Sequence, residues 1–229
     1  YYATYEGVIA AAGGIPVPIK VDPDHGFHLK AADLEKHITP RTRVLLMNTP
    51  SNPTGAAYSA TELKGLADVL VRHPQVMVLS DDIYAMLRYT PGAHATLAAQ
   101  CPDLADRVLT VSGVSKSHAM TGFRIGVSAG PAWLVSAMAK LQSHASGNPC
   151  SISQAAAVAA FEGPQDFLLD WRDRMAVTSP RQADAVFGVL RIILEWARDR
   201  GMIAHNHATR GRKGFAGHAG QGFGCQESV

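Results

Sequence analysis

VMVLSDDIY, at residues 76–84, is the segment that decides the fold. It opens with a continuous apolar run, which is typical of a strand buried on both faces of a sheet, and the run stops abruptly at polar residues. The runs RVLLMN at 43–48 and RVLTV at 107–111 have the same form, and helical patterns separate all three. Strands of this kind alternating with helices predict an α/β fold, in which a mostly parallel sheet is flanked by helices.

The remaining elements extend this pattern in both directions. The helix predicted at 59–73 opens with a capping box, in which Ser59 precedes Glu62 by three residues. IPVPIKV at 15–21 is predicted to be an edge strand, because its two prolines cannot donate to a ladder. A fourth buried strand is predicted at 123–129, and further helices at 31–38, about 131–145, 152–162 and about 165–200.

Polar motifs follow the three central strands directly. They are NTPSNPTG at 48–55, SDDIY at 80–84 and SGVSK at 112–116. Ligands of parallel α/β sheets bind at the carboxyl ends of the strands. Because three loops leaving one edge of a sheet converge, the spacing predicts a single site built from these motifs.

Composition excludes several classes of function. The net charge of +2 and dispersed basic residues give no support for a nucleic-acid partner, and no stretch approaches the about 18 consecutive apolar residues of a membrane helix. The three cysteines form no CxxC pair, which argues against disulfides and structural zinc and favours a cytoplasmic, reducing compartment. The ten histidines form no two-His-plus-carboxylate spacing on one predicted helix, so no metal site is expected.

Five side chains in the converging loops carry useful chemistry. Lys116 offers an amine that can form a Schiff base with a carbonyl compound. Asp81 can pair with a protonated heterocycle nitrogen, with the phenol of Tyr84 and the amide of Asn52 near the same ring. Arg124 offers a guanidinium fork suited to phosphate. An amine, a carboxylate and an anion-binding arginine are the parts that a pyridoxal-phosphate site requires.

Each of these side chains also has a purely structural interpretation, and taken singly these remain open. They are a solvated surface lysine at 116, a helix cap at Asp81 or Asp82, a simple turn at 52–55, a core tyrosine at 84 and a surface ion pair at Arg124. Order and spacing favour the functional interpretation, because all the motifs follow strand ends.

The motifs NTPSNPTG, VLSDDIY at 78–84 and SGVSKSHAMTGFRIG at 112–126 resemble those of the class I/II pyridoxal-phosphate-dependent aminotransferases of fold type I, in the same order and at similar intervals. The resemblance implies that Lys116 forms the internal aldimine with pyridoxal 5'-phosphate and that Asp81 pairs with its pyridine nitrogen. It also implies that Asn52 and Tyr84 bind the ring's phenolic oxygen and that Arg124 binds the phosphate.

Two further positions follow from the same resemblance. The opening YYATY is similar to the family's aromatic segment, which places Tyr2 where a ring stacks on the cofactor. Several family members have a phosphate-binding serine three residues before the lysine, where this chain has Gly113. Ser115, with Ser112 nearby, is therefore a candidate for the phosphate hydroxyl.

The resemblance implies a transaminase that moves an amino group between an amino acid and a 2-oxo acid. The segment at 140–167 is most similar to bacterial aspartate aminotransferases, so aspartate and 2-oxoglutarate are the expected substrates of a homodimer. Two alternatives remain: a fragment that binds pyridoxal phosphate without turnover, and a lyase of the same fold.

The resemblance covers residues 1 to about 175, which we expect to be a cofactor-binding large domain lacking its N-terminal part. Residues 176–203 are predicted to be a helical connection toward a small domain, and 204–229 a disordered Gly-rich tail. The family's upstream glycine-containing phosphate loop and C-terminal carboxylate-binding arginine have no counterpart here. We therefore expect the chain to be a fragment that exposes apolar surface and is poorly soluble.

Overall fold

A four-stranded sheet in the order β1-β2-β3-β4 organises the computed structural model, which describes residues 1–87 and 93–165. The strands are β1 Val44–Asn48, β2 Met77–Asp81, β3 Val108–Ser112 and β4 Val127–Ala129. β1, β2 and β3 are parallel to one another, whereas β4 pairs with β3 in the antiparallel sense. The predicted α/β fold with a mostly parallel sheet flanked by helices is confirmed.

Six α-helices accompany the sheet within the described ranges. They are α1 Thr4–Ala11, α2 Ala31–His37, α3 Ala60–Arg72, α4 Leu97–Gln100, α5 Ala132–Ala145 and α6 Ser151–Glu162. The predicted bounds of α2, α3, α5 and α6 are confirmed to within one residue at each end. The pattern at about 165–200 and the predicted divisions of the chain at 175 and 203 lie outside the described residues.

α3 packs the core of the molecule, and its sequence explains why it forms. The Ser59 hydroxyl accepts a hydrogen bond from the Glu62 N–H, and the Glu62 carboxylate accepts one from the Ser59 N–H, so the predicted capping box is complete. One face of the helix is buried, with Leu63, Leu66 and Leu70 at most 1% exposed. This face packs with residues from α2, α4 and the first three strands into one hydrophobic cluster.

Two strand predictions were wrong in part. Residues 15–21 belong to no strand in the described structure, because Pro16 and Pro18 lack the N–H groups that a ladder needs. The strand predicted at 123–129 is reduced to β4, and its three residues are exposed rather than buried. A 3₁₀ turn at Thr121–Phe123 followed by Arg124 at φ 52° interrupts the extended backbone, so only the last three residues can pair.

Two features of the chain were not predicted. α1 begins and ends without a side-chain cap and buries no residue, so neither capping nor apolar periodicity indicated it. α4 contains four residues and follows Thr96, whose hydroxyl accepts from the Ala99 N–H.

Within the described ranges, the helices are all too short or too polar to cross a membrane.

Candidate functional site

The register of the parallel strands brings the three motif loops to one edge of the sheet. Asn48, the last residue of β1, lies opposite Asp81, the last residue of β2, and Asp81 lies opposite Val111 near the end of β3. The loops that follow these strands therefore begin side by side. This is the convergence that the spacing predicted.

The loop after β1 is a tight turn held by its own side chains. Asn48 Oδ1 accepts a hydrogen bond of 2.7 Å from the Asn52 N–H, and the Gly55 N–H donates to Ser51 O at 2.7 Å. Gly55 has a φ of 73°, which favours glycine over any residue with a Cβ. The turn interpretation is thus correct, and the turn also presents Asn52, whose Nδ2 lies 3.4 Å from the Tyr84 hydroxyl.

Asp81 is held on its backbone and on both carboxylate oxygens. Its carbonyl accepts from Asn48 Nδ2 at 2.8 Å and from the Thr49 N–H at 3.0 Å. Oδ1 accepts from the Ile83 N–H at 3.2 Å, and Oδ2 accepts from the Tyr5 hydroxyl at 2.5 Å. The carboxylate is therefore partly buried and fixed in orientation, which no single helix-capping role would require.

Tyr5 is the site residue that sequence reasoning missed. Its burial and its hydrogen bond to Asp81 raise the pKa of the Tyr5 hydroxyl well above its ordinary value, so the phenol stays a donor at neutral pH. Its ring meets that of Tyr2 edge-on, with centroids 5.8 Å apart. Tyr2 thus lies next to the Asp81 cluster.

Lys116 lies on the loop after β3, four residues beyond the strand end, and its side chain is exposed. Its carbonyl accepts from the Ala119 N–H at 3.3 Å, which keeps the loop in a turn. The neighbouring Ser115 hydroxyl lies 3.5 Å from Ile125 O. Lys116 is thus an exposed residue on a loop that leaves the same edge of the sheet as Asp81.

Gly113 lies where two backbone segments approach each other closely. A Cβ at this position would lie 3.3 Å from the Gly126 Cα and 3.4 Å from Ile125 O. A serine side chain would therefore press on the segment that leads into β4. With glycine at this position, Ser112 and Ser115 are the nearby hydroxyls.

Arg124 lies at the end of the same loop in a left-handed conformation, with φ 52°. Its guanidinium donates to Thr121 O at 2.9 Å, and the side chain is exposed. No ion pair involves it within the described ranges, so the surface ion-pair interpretation has no support there. Taken together, the hydrogen bonds of the site join Asn52 with Tyr84 and Asp81 with Tyr5. The third loop carries Lys116, Ser115 and Arg124. Among the described residues, these three form no hydrogen bond to the other four.

The donor set has the chemistry that pyridoxal phosphate needs. An exposed primary amine suits its aldehyde, an oriented carboxylate suits its ring nitrogen, and a guanidinium suits its phosphate. The amide of Asn52 and the phenol of Tyr84, already adjacent, suit a ring oxygen. The residues of this edge therefore fit the group.

Comparison with known proteins agrees with this chemistry. The profile of the family described as Aminotransferase class I and II matches residues 1–186. The chain belongs to this aminotransferase family. The match includes all three motif loops and every described strand.

Two relatives illustrate the similarity. The chain is 51% identical over 168 residues to an aspartate aminotransferase of Rhizobium meliloti, covering 73% of this chain and 41% of the relative. It is 46% identical over 190 residues to an aspartate/prephenate aminotransferase of Cereibacter sphaeroides, covering 83% of this chain and 46% of the relative. The chain thus spans less than half the length of these aminotransferases.

Solved structures of the family share the fold. The aspartate aminotransferase of Rhizobium meliloti superposes with a TM-score of 0.72 at 45% identity, covering 85% of this chain and 46% of that one. An aromatic aminotransferase from Pyrococcus horikoshii gives 0.68 at 31% identity, covering 87% of this chain and 50% of the other. The described sheet and helices are therefore part of the aminotransferase large domain.

Proposed function

We propose that this chain carries the cofactor site of a pyridoxal-phosphate-dependent transaminase whose substrates are aspartate and 2-oxoglutarate. The observation that carries the proposal is the strand register, which places the loops of Asn52, Asp81 and Lys116 at one sheet edge. The names of the relatives, aspartate and aspartate/prephenate aminotransferases, support the choice of aspartate.

The roles of the two central residues follow from their chemistry. Pyridoxal phosphate, when bound, supplies an aldehyde that condenses with amines and a ring that takes up electrons from the substrate's α-carbon. The Lys116 amine would hold the aldehyde in the absence of substrate, and its Nζ would accept the α-proton of a bound amino acid as general base. Asp81, fixed by Tyr5 and the Ile83 N–H, keeps a proton on the ring nitrogen through a charge-assisted hydrogen bond.

The surrounding residues bind and orient. Asn52 and Tyr84, as neighbours, hold the ring's phenolic oxygen between an amide and a phenol. Arg124 and the Ser115 hydroxyl bind the phosphate, and Tyr2 covers one face of the ring. Asn52, Tyr84, Ser115 and Arg124 follow strands β1 to β3, and the Tyr2 ring contacts that of Tyr5, which supports these roles.

Covalent trapping tests the cofactor site. The chain is mixed with pyridoxal phosphate, reduced with borohydride and digested, and the modified peptide is identified by mass spectrometry. We expect one adduct, on Lys116, and none in Lys116→Ala. Lys140→Ala is the matched control, because Lys140 is an exposed lysine of α5 outside the motif loops. Adducts spread over surface lysines in the unmodified chain would contradict the proposal.

Substitution at Asp81 separates attachment from turnover. Asp81→Asn keeps the side-chain volume and the neutral hydrogen-bonding capacity but removes the negative charge that holds the proton on the ring nitrogen. We expect Lys116 still to be modified. Amino transfer from aspartate to 2-oxoglutarate, measured as the production of oxaloacetate, should be lost. Full turnover in Asp81→Asn would exclude the assigned role.

A second candidate is cofactor binding without transamination. The observation that favours it is that this chain spans 41% of the Rhizobium relative and 46% of the Cereibacter relative. In that case Lys116 is modified, but aspartate releases no oxaloacetate with any 2-oxo acid acceptor. The two assays described above distinguish the candidates directly.

We also propose that two copies of the chain associate and that the protein works in a reducing, cytoplasmic compartment. Exposed apolar side chains on α5 and α6, such as Trp133 at 62% and Ile152 at 74%, support an apolar contact with another surface. The described cysteines, Cys101 and Cys150, are both free thiols, which supports the compartment. Sedimentation of the purified chain tests the association.

A further inference from the structure

A buried polar pair lies directly behind Asp81. The Asp82 carboxylate is 3% exposed and accepts hydrogen bonds from the Ser80 hydroxyl at 2.6 Å and from His94 Nε2 at 2.9 Å. The His94 side chain is itself only 11% exposed. An acidic side chain so deeply buried is costly unless each oxygen is compensated, and here one partner compensates each oxygen.

The pair and the proposed cofactor ligand share one short stretch of backbone. Ser80 and Asp82 bond to each other across Asp81, and in extended backbone the residue between two such neighbours points to the opposite face. The Asp82 N–H donates to Val111 O at 2.8 Å, and the Thr49 N–H donates to Asp81 O at 3.0 Å. A rotation of the backbone between residues 81 and 82 must therefore break the Asp82 pair or these two bonds.

Within the described residues, the side chain of His94 has one hydrogen bond, from Nε2 to Asp82. Because a carboxylate only accepts, the ring donates through Nε2 to Asp82. Its Nδ1 is buried and has no hydrogen-bond partner within the described ranges, although a buried polar atom left unpaired costs free energy. His94 itself is anchored close to α4, two residues before the helix cap at Thr96. An apolar side chain could fill the same space without leaving a buried nitrogen unpaired. The bond from Nε2 to Asp82 is therefore the feature that distinguishes histidine here.

We propose that His94, acting through Asp82, is a positioning residue that fixes the orientation of the Asp81 carboxylate toward the cofactor's ring nitrogen. This inference rests on the proposed function of Asp81. His94 contacts neither substrate nor cofactor in this role. His94 restrains the backbone of residues 81 and 82 through its hydrogen bond to the Asp82 side chain. Tyr5 and the Ile83 N–H restrain the Asp81 carboxylate directly.

The test compares His94→Leu, which removes the donor at similar volume, with His94→Gln, whose amide nitrogen can replace Nε2. The first readout uses the chain without cofactor: hydrogen exchange of the Asp82 and Thr49 amides, whose bonds report on the backbone at residue 81. The second readout is pyridoxal-phosphate affinity, measured by titrating its absorbance. We expect His94→Leu to accelerate both amides and to weaken affinity roughly tenfold, the lower range for loss of an outer partner.

His94→Gln should return the amide exchange rates and the affinity to within a factor of about three of the parent values. This difference is smaller than the tenfold loss of affinity expected for His94→Leu. Leu97→Ala is the stability control, because Leu97 is 1% exposed in helix α4 and belongs to the hydrophobic cluster. We expect it to lower global stability without selective acceleration at Asp82 and Thr49. Ser80→Ala, which removes the other hydrogen-bond partner of Asp82, should act in the same direction as His94→Leu.

The outcomes separate this inference from the proposed function. Unmodified Lys116 in the parent chain would overturn the proposed function and this role with it. Modified Lys116 together with equal affinities for the parent chain and His94→Leu would overturn the positioning role alone. So would unchanged amide exchange in His94→Leu, or a His94→Gln variant as impaired as His94→Leu.

Discussion

Two helices of nearly equal length, α3 with 13 residues and α5 with 14, differ completely in what they bury. α3 buries five residues against the sheet and its neighbours, whereas α5 buries none. On α5, Trp133 is 62% and Leu141 is 71% exposed. The difference teaches that, of these two helices, only α3 finds its packing partners within the described part of this chain. Stability is therefore concentrated around α3.

The largest expected effect contrasts one leucine from each helix. Leu70 on α3 is fully buried, so Leu70→Ala removes packed methyl groups and leaves a cavity, which we expect to cost about 2–5 kcal/mol. Leu141→Ala on α5 is the matched change at an exposed position, and we expect less than about 0.5 kcal/mol. Urea unfolding followed by circular dichroism measures both. Equal losses would show that α5 is packed in solution and would break the comparison.

A second prediction concerns how α3 ends. The Arg107 guanidinium donates to three backbone carbonyls, those of Leu70, His73 and Val76, at 2.8–3.1 Å. Arg107→Ala leaves these acceptors without their charged donor, and we expect a loss of about 1–3 kcal/mol.

Arg43→Ala is the control for that change. Arg43 is exposed and donates to a single carbonyl, that of Pro40, so its removal should cost at most about 0.5 kcal/mol in the same urea titration. Equal losses of unfolding free energy in Arg107→Ala and Arg43→Ala would mean that water replaces the guanidinium at the three carbonyls. The C-terminal end of α3 would then stabilise the fold no more than that of α5.

The same contrast shows which features the sequence could reveal. The strands, the capping box at Ser59 and the three strand-end motifs are local patterns, so the α/β fold and the loops of Asn52, Asp81 and Lys116 were predictable. The convergence of these loops at one sheet edge followed from the predicted parallel sheet. The bond between Tyr5 and Asp81 joins residues 76 positions apart, and no local pattern encodes it. Local signals fix elements, whereas long-range pairs depend on packing.

The errors have equally physical causes. β4 was predicted to be long and buried because FRIGVSA is apolar, but the left-handed Arg124 prevents a regular strand from starting earlier. The pairing of Asp82 with His94 was not anticipated, because a carboxylate beside a strand end has the same sequence signature whether it caps a helix or is buried. Burial decides between these roles, and burial is a property of the assembled fold.

A third prediction concerns how the two helices begin. α3 has a side-chain cap at Ser59, whereas α5 follows Pro131 without one. Ser59→Ala removes the acceptor for the Glu62 N–H, and we expect a loss of about 1 kcal/mol in urea unfolding. Ser136→Ala, an exposed change inside α5, should cost less than about 0.5 kcal/mol. A neutral Ser59→Ala would mean that α3 is held by packing alone.

The smallest expected effect is the pH dependence that Glu62 confers on α3. Burial alone opposes its ionisation, but hydrogen bonds from Ser59 and His28 outweigh it and lower the pKa of the Glu62 carboxyl from its ordinary 4.5. Because the folded pKa lies below the unfolded one, the ionised carboxylate stabilises the fold above about pH 4.5, and this contribution is lost as the pH falls through the folded value.

We therefore expect the free energy of unfolding to fall less between pH 6 and pH 3 in Glu62→Gln than in the parent chain, by about 0.5 kcal/mol, because solvent screens this partly exposed group. Glu162→Gln, the same change at an exposed position at the end of α6, is the matched control. A Glu62→Gln profile parallel to the parent's would mean that the carboxylate caps α3 no better than a neutral amide. The greater stability of α3 would then come from its packing and from the Ser59 hydroxyl, and the charge of Glu62 in its first turn would contribute nothing.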